Sequence, residues 1–306
     1  MIGRRAASPA AILSVVSFGV FIAADDLTVA ATMLRQIIGD LGIPLPEGMG
    51  DAAWIVNAYL VAYVAVMPFM GRLSDVFGRR RVYAGSLVVF LIGSIWVAQA
   101  DTLGWFIAGR VLTAIGGGAM VPVALAVIGD VFAERRRATA LGVLGAVDTI
   151  GWVWGPLFGA LLVRFLDWRW QFHLNVPLAI LGIAAVWWAL RDHDRPSERR
   201  HMDWGAAAAL SAALVGLNVA LLSAGNISGV GELVELADLT ADRSLPVLPI
   251  GIGAAAAFAL FLWLEWRSRD PLVDLRLFRL TNVAPALAVN FLAGAVLVVE
   301  MVDVPL

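Results

Sequence analysis

The fold of this chain is decided by the stretch Gly71-Arg72-Leu73-Ser74-Asp75-Val76-Phe77-Gly78-Arg79-Arg80-Arg81. It lies between two long apolar runs, Trp54 to Met70 and Val82 to Gln99, and it sets an aspartate among arginines. So short a charged segment between two runs of membrane-spanning length predicts a tight hairpin at a membrane surface. Arginine beside the hydrocarbon boundary is typical of the cytoplasmic side, and it offers a forked donor to carboxylates and helix ends.

The composition independently indicates an integral membrane protein. Hydrophobic residues make up 60% of the 306 residues, charged residues make up 15%, and the mean hydropathy is +0.84. A soluble domain does not need several uninterrupted apolar runs of about 20 residues, the length at which a helix crosses a hydrocarbon layer of about 30 Å. The lipid bilayer is therefore the expected partner. The net charge of −2 gives no reason to expect nucleic acid.

The residue types that metal, redox and nucleotide chemistry require are absent or scattered. The sequence has no cysteine, and its three histidines, His173, His193 and His201, do not have the spacing of metal ligands. No Gly-x-x-x-x-Gly-Lys phosphate loop occurs. We therefore expect no metal, no cofactor and no enzymatic activity, and we expect energy to come from a gradient rather than from nucleotide hydrolysis.

The apolar runs predict an all-α polytopic membrane protein with about nine transmembrane helices. Helix is favoured over strand because the runs far exceed strand length and lack strand-like alternation. The predicted spans are Ala10–Leu34, Ala53–Met70, Val82–Ala100, Leu103–Gly129, Ala138–Phe165, Trp170–Leu190, Trp204–Ala224, Leu245–Trp266 and Asn282–Asp303.

The arginines alternate from loop to loop and predict the orientation. The loops on the side of the amino terminus hold most of them, including those of the hairpin and residues 135–137. Because arginine is enriched on the cytoplasmic side, we expect a multi-pass protein of the cell (inner) membrane with a cytoplasmic amino terminus. The loops of the opposite side hold only Arg35, Arg164, Arg169 and Arg243.

The hairpin spacing Gly-x-x-x-Asp-x-x-Gly-Arg-Arg resembles the cytoplasmic signature between spans two and three of the major facilitator superfamily of transporters. The resemblance implies a bundle of two six-helix halves that rock around a central site. We expect both glycines to permit a backbone geometry or a close approach that a side chain would forbid. A generic positive-inside loop would explain the arginines but neither the paired glycines nor the aspartate. The conformational-switch loop would comprise Gly71, Asp75, Gly78, Arg79 and Arg80, with Asp130 either paired to Arg79 or solvated near Arg135.

The segment from Glu265 to Arg279 resembles the link after the second extra helix in the fourteen-span drug:proton antiporter branch of that family. The resemblance implies a complete amino-terminal six-helix half at 1–190. Two extra transmembrane helices and their links follow at 191–280, and the first helix of an incomplete carboxy-terminal half occupies 281–306. By this interpretation most of the second half is missing, and that half would be a partner of the chain.

Two charged residues in different spans resemble motifs of the same branch. Asp26 and Thr28 resemble an aspartate and a threonine of the first-span motif, although Arg35 stands where the family usually has proline. Arg110 lies in a stretch that resembles the fourth-span motif, in which an arginine faces the central cavity and influences proton transfer. At about 1.5 Å per residue from the helix ends, Asp26 and Arg110 lie at similar depth, which suggests an ion pair. The pair either exchanges a proton or only locks the spans together.

Two further acids lie within predicted spans. Adjacent helix positions point about 100° apart, so Asp25 and Asp26 cannot both face one cavity squarely. Intramembrane acids mark transport pathways, which favours function for Asp26; alternatively, both acids meet water in the headgroup zone. Asp148 of span five is either an additional protonation site or a buried acid hydrogen-bonded to a neighbouring helix.

Span five contains Gly151, Gly155 and Gly159, spaced four residues apart, together with Pro156. Glycines at this spacing share one helix face and let a neighbouring backbone approach closely. Proline removes a donor and bends the helix. The pattern resembles the antiporter motif of the family, in which the bend and the smooth face lie against the second half. Ordinary helix packing is the alternative.

Together these resemblances imply a proton-coupled antiporter that exports small amphiphilic compounds or drugs by alternating access. The proton gradient would supply the energy, and the proton and substrate pathway would comprise Asp26, Thr28, Arg110 and Asp148. The alternative is a truncated remnant that transports nothing, or a membrane subunit that a second chain completes. Acids in the cavity suggest cationic substrates, and an apolar lining suggests amphiphiles.

Overall fold

The structure, a computed structural model, describes residues 7–44, 48–191, 202–225, 247–268, 271–273, 283, 285–290 and 292, and none of these is in a β-strand. Eight of the helices in these ranges are long and apolar enough to cross a membrane. The all-α membrane fold is therefore confirmed. The helices are α1 (Pro9–Thr32), α2 (Leu34–Asp40), α3 (Met49–Phe77), α4 (Arg79–Ala98), α5 (Leu103–Val131), α6 (Glu134–Phe165), α7 (Arg169–Ala189), α8 (Trp204–Gly225) and α9 (Val247–Arg267).

The helix ends follow local sequence signals. Pro9 occupies the first position of α1, where its missing N–H costs nothing, and Ser8 Oγ accepts a hydrogen bond from the Ala11 N–H at 3.2 Å. Thr102 caps α5 in the same way, accepting from the Trp105 N–H at 3.4 Å. The short α2 follows α1 after a break at Met33.

The charged hairpin is much tighter than the predicted loop, because α3 continues to Phe77 and α4 begins at Arg79. Only Gly78 separates them, with a φ of 98° that side chains disfavour. Gly71 instead lies inside α3, and a methyl group built there would come no closer than 4.0 Å to the carbonyl oxygen of Pro122. The expectation that both positions require glycine is therefore correct only for Gly78.

α1 lies at the centre of a bundle that α3, α4, α5, α6 and α7 complete. It packs against α5, α6 and α7, while α5 also packs against α3 and α4, and α4 packs against α7. This arrangement brings the acids of α1 close to three other helices. The largest core cluster surrounds it and includes Val16, Val20, Phe90, Met120 and Val186.

α8 and α9 pack on each other beside this bundle. Leu210 and Phe261 belong to their shared core, and α8 contacts α3, where Ser211 Oγ donates to the carbonyl of Ala65 at 2.8 Å. Near the end of α9 the buried Glu265 carboxylate accepts hydrogen bonds from the N–H groups of Leu272 and Val273, which follow the helix, each at 3.0 Å. The division of the chain at residues 190 and 280 stays a prediction.

The predicted span boundaries differ from the helices mainly at the charged helix ends. α6 begins at Glu134 and so includes the arginines at 135–137, which the sequence had placed in a loop. The ninth predicted span, Asn282–Asp303, lies largely outside the described residues.

Candidate functional site

Asp26 of α1 and Arg110 of α5 meet inside the bundle. Arg110 Nη1 donates to Oδ2 of Asp26 at 2.7 Å, and Nη2 donates to the main-chain oxygen of Asp26 at 3.3 Å. The exposed fractions of the two side chains are 1% for Arg110 and 0% for Asp26. Burying a charge is costly unless it is paired and hydrogen-bonded, and each of these residues supplies the partner of the other.

Two amides of α7 complete the polar centre. Asn175 Nδ2 donates to Oδ1 of Asp26 at 3.0 Å, and Gln171 Nε2 donates to Oδ2 of Asp25 at 2.8 Å. All four side chains are buried. The sequence analysis assigned no role to Gln171 or Asn175. Amides four residues apart share one helix face, and such a pair inside an apolar span is a signal that could have found them.

Aromatic rings enclose the guanidinium group. Its central carbon lies 4.1 Å from the ring centre of Tyr59 on α3 and 5.8 Å from that of Phe172 on α7. Ring faces attract cations, most strongly where water is excluded. The Tyr59 hydroxyl donates to the carbonyl of Ala23 at 3.4 Å, so α3 is also tied to α1 beside the pair. Tyr59 is a further site residue that the sequence analysis missed.

Two predicted pathway residues lie apart from the ion pair. The Thr28 hydroxyl bonds within α1 to the carbonyls of Ala24 and Asp25, at 3.3 Å each. Asp148 of α6 is half-buried near Tyr63, and it has no hydrogen-bond partner among the described residues. The structure therefore brings together Asp26 and Arg110 but adds neither Thr28 nor Asp148 to their hydrogen-bond network.

The glycine face of α6 packs against α1. A methyl group on Gly151 would lie 2.7 Å from Cβ of Ala24, and one on Gly155 would lie 3.0 Å from the carbonyl oxygen of Asp25. Gly159 faces Val29 in the same way. The expectation that this smooth face lies against the second half is therefore wrong for the described residues. The glycines instead hold α6 against the segment of α1 that carries the acids, and Pro156 lies inside this stretch of α6.

The other face of α6 is apolar and open. Its exposed side chains include Ile150, Val153, Trp154 and Leu157, which together with Thr149 line a shallow groove. This is the face of α6 that remains for lipid or for other parts of the protein.

Arg79 joins the hairpin to the end of α5. Its Nε donates to Oδ2 of Asp130 at 2.8 Å, and its Nη1 donates to the carbonyl of Gly71 at 3.1 Å and to the hydroxyl of Ser74. Nη2 forms an ion pair with Asp75. The Arg80 guanidinium lies 3.9 Å from the ring centre of Trp187 on α7. One arginine thus links α3, α4 and α5, and the next one contacts α7.

No cluster of three or more potential metal-binding side chains occurs in the ranges that the structure describes. The polar centre is built instead from one cation, two carboxyl groups and two amides, held between α1, α5 and α7. Such a set of groups can bind, hold and release protons or polar parts of a solute, but it contains no activated nucleophile.

A family model described as Major Facilitator Superfamily matches residues 16–302. The chain belongs to the major facilitator superfamily. The resemblance of the hairpin spacing to that family is thereby confirmed, and the chain is a multi-pass membrane protein as the members of this family are. The family and the named relatives indicate a transporter rather than an enzyme.

Named relatives match nearly the whole chain. A protein named triacylglyceride transporter from Mycobacterium tuberculosis is 37% identical over 308 residues, covering 99% of this chain and 56% of the relative. Multidrug resistance protein 3 from Bacillus subtilis is 32% identical over 291 residues, covering 94% of this chain and 53% of the relative. The chain therefore spans about half the length of the curated relatives that it matches.

Solved structures support the fold. A peptide transporter of the POT family in complex with sulfate matches with a TM-score of 0.55 and 18% identity, over 84% of this chain and 53% of the other. The human organic anion transporter MFSD10 matches with a TM-score of 0.51 and 18% identity, over 83% of this chain and 72% of the other. At these identities the likeness extends to the fold alone.

Proposed function

We propose that the full-length protein is a proton-coupled antiporter that exports small amphiphilic or lipid-like compounds by alternating access. The observation that carries the proposal is the buried ion pair of Asp26 and Arg110. Ionisable residues within a membrane are expensive to bury, and they commonly mark the pathways of ions and substrates. We place the protein in the cell (inner) membrane with a cytoplasmic amino terminus, which the arginine distribution supports.

Protonation of Asp26 is the proposed coupling step. The proton removes the negative charge, so Arg110 loses a charge-assisted hydrogen bond, and such bonds are roughly twice as strong as neutral ones. A buried charge whose partner is removed destabilises a protein by about 3–5 kcal/mol. The conformation with the closed pair is thereby disfavoured, and the bundle shifts toward one in which Arg110 reaches another partner or water.

This shift would move α1 relative to α5. A ligand changes a conformational equilibrium only by its differential affinity for the two states, and here the proton is that ligand. Proton entry from outside would favour the outward release of substrate, and proton loss to the cytoplasm would restore the pair. In this proposal Asp26 and Arg110 are the groups that couple proton binding to the movement of α1 relative to α5.

The names of the relatives support the proposed substrate class. The one with the higher identity is named a triacylglyceride transporter, and the other a multidrug resistance protein. Both names suit an apolar or amphiphilic compound that enters from the bilayer. The exposed apolar groove on the outer face of α6 offers a matching apolar surface.

The proposal can be tested with the full-length protein in sealed vesicles under an imposed proton gradient. Asp26→Asn carries a neutral side chain permanently. We expect it to exchange a fluorescent amphiphile or lipid across the membrane, but to lose gradient-driven accumulation by at least tenfold. Asp101→Asn is the matched control, because Asp101 is 90% exposed and lies away from the pair.

Normal gradient-driven transport by Asp26→Asn would remove Asp26 from the mechanism. Asp148→Asn, measured in the same vesicles, would then be the next variant to examine. Equal transport by the wild type with and without the gradient would overturn proton coupling altogether.

A further inference from the structure

A second carboxyl group in the polar centre takes no part in the proposed exchange between Asp26 and Arg110. Asp25 precedes Asp26 on α1, and its exposed fraction is 7%. Gln171 of α7, exposed to only 1%, donates Nε2 to Oδ2 of Asp25 at 2.8 Å. This hydrogen bond joins the two side chains and leaves one oxygen atom on each of them.

Both remaining oxygens are buried and unpaired. Oδ1 of Asp25 and Oε1 of Gln171 have no hydrogen-bond partner among the described residues. Buried polar atoms in folded proteins are nearly always paired, so two such atoms in one hydrogen-bonded pair call for an explanation. Both are acceptors, so neither can satisfy the other. The pair therefore lacks a donor, and a hydrogen atom on Asp25 would supply it.

We propose that Asp25 is a second proton-binding residue of this bundle, whose proton is donated from Oδ1 to Oε1 of Gln171. The carboxylate takes one proton from water and becomes a neutral carboxylic acid, and no other bond is formed or broken. Two hydrogen bonds then close the pair. One runs from the Gln171 amide to Oδ2 and the other from Oδ1 to Oε1. Every polar atom of the pair is then satisfied, and one negative charge is removed from the membrane interior.

The groups around Asp25 favour the neutral form. Arg110 is bonded to Asp26, and no described cation is hydrogen-bonded to Asp25. The adjacent Asp26 opposes a second negative charge, because like charges at short distance disfavour ionisation. The ionisable groups on the helices that pack on α1 near this point are Tyr59 and Tyr63 of α3, Arg110 of α5, Asp148 of α6, and Arg169 and exposed His173 of α7.

The amides of α7 connect the two acids. Gln171 Nε2 also lies 3.5 Å from Oδ1 of Asn175, and Asn175 donates to Asp26 at 3.0 Å. Hydrogen bonds in such a chain polarise one another, so a proton gained at Asp25 alters the environment of Asp26. The part of Asp25 in coupling rests on the proposed function, whereas proton binding by Asp25 does not.

Proton binding can be measured without transport. The midpoint of thermal unfolding is followed against pH in the purified full-length protein, at constant sodium and potassium concentration. We expect the midpoint of the wild type to rise by several degrees as the pH falls through the protonation of Asp25, because a proton held more tightly by the folded state stabilises that state. This rise of the unfolding midpoint with falling pH is the step that the variants are compared by, and Asp101→Asn should show the same step.

Asp25→Asn should lose this step. Its amide can donate to Gln171 at every pH, so its midpoint at high pH should already exceed that of the wild type. Gln171→Met removes the donor to the carboxylate at similar side-chain length. It also removes Oε1, the acceptor of the proposed proton, so the neutral acid loses two hydrogen bonds whereas the ionised form loses one. The step should therefore move to lower pH.

Three results would overturn the proposal. The first is a wild-type step that persists unchanged in Asp25→Asn. The second is a step in Gln171→Met at the same pH as in the wild type. This result tests the proposal even if Asp25→Asn does not fold. The third is a step that follows sodium or potassium concentration at fixed pH, since the pair would then bind a metal cation. An unchanged step in Asp25→Asn, combined with lost gradient drive in Asp26→Asn, would overturn this inference and leave the proposed function intact.

Discussion

The contact between Gly151 of α6 and Ala24 of α1 allows a quantitative test of how these helices are held together. A methyl group on Gly151 would lie 2.7 Å from Cβ of Ala24 and 3.0 Å from the carbonyl oxygen of Phe21. Carbon atoms prefer separations of about 3.5–4.0 Å, so Gly151→Ala must push α6 and α1 apart. Overpacking of this kind typically destabilises a protein by about 1–3 kcal/mol.

The helix propensity of alanine partly offsets this loss, because glycine inside a helix costs up to about 1 kcal/mol relative to alanine. Gly145→Ala, on the same helix, isolates that term, since a methyl group there meets nothing within 4 Å. We therefore expect Gly151→Ala to be less stable than Gly145→Ala by about 1–3 kcal/mol. The assay is the free energy of unfolding of the detergent-solubilised protein, titrated with sodium dodecyl sulfate.

Ala24→Gly supplies the second half of the test. It removes the atom that lies 2.7 Å from the added methyl group and leaves the carbonyl of Phe21 in place. Gly151→Ala combined with Ala24→Gly should thus be more stable than the sum of the single effects predicts, by an interaction energy of about 0.5–3 kcal/mol. Strict additivity, or equal stability of Gly151→Ala and Gly145→Ala, would refute the close approach of α6 to α1.

Two further predictions concern the hairpin and the orientation. Asp75→Asn should slow transport by the full-length protein more than Asp130→Asn does, because both partners in the Asp75–Arg79 pair are largely buried whereas Asp130 is half-exposed. If Asp75→Asn transports at the native rate, the hairpin has no role in switching and serves only to orient the protein in the membrane. Reporters fused after Arg80, Arg136 and Arg199 should label as cytoplasmic and one after Gly229 as external, and any one on the wrong side would contradict the predicted orientation.

The sequence predicted the membrane spans well, because the thickness of the hydrocarbon layer and the rise per residue together constrain the length of a spanning helix. It failed at the hairpin, where hydropathy ends near Met70 but α3 continues to Phe77. Polar residues can extend a helix beyond the hydrocarbon layer, since its backbone hydrogen bonds do not depend on the solvent. The sequence therefore indicated that Gly78 lies in the hairpin, but it did not indicate that Gly78 alone separates two helices.

The polar centre was predictable only in part. Depth along each helix follows from counting, which placed Asp26 and Arg110 at one level, and opposite charge made their contact plausible. The direction in which each helix faces its neighbours depends on packing throughout the bundle. Neither the contact of Gln171 with Asp25 nor that of the glycine face with α1 could be derived from spacing. The amides of α7 carry no charge, so nothing in the sequence indicated which acid they would reach.

α5 connects the two arginine-centred clusters of this chain. Arg110 lies near its start and Asp130 near its end, about 30 Å apart at about 1.5 Å per residue. Between them α5 approaches α4 and α3 closely at two glycines. A methyl group on Gly116 would lie 2.5 Å from the main-chain nitrogen of Phe90, and one on Gly118 would lie 2.7 Å from the carbonyl oxygen of Tyr63. We expect α5, which contains Pro122 between the two clusters, to pass a displacement at one end on to the other through this packing. Loss of the Asp26–Arg110 bond is therefore expected to alter the contact of Asp130 with Arg79, which gives the hairpin a physical means of sensing the protonation of Asp26.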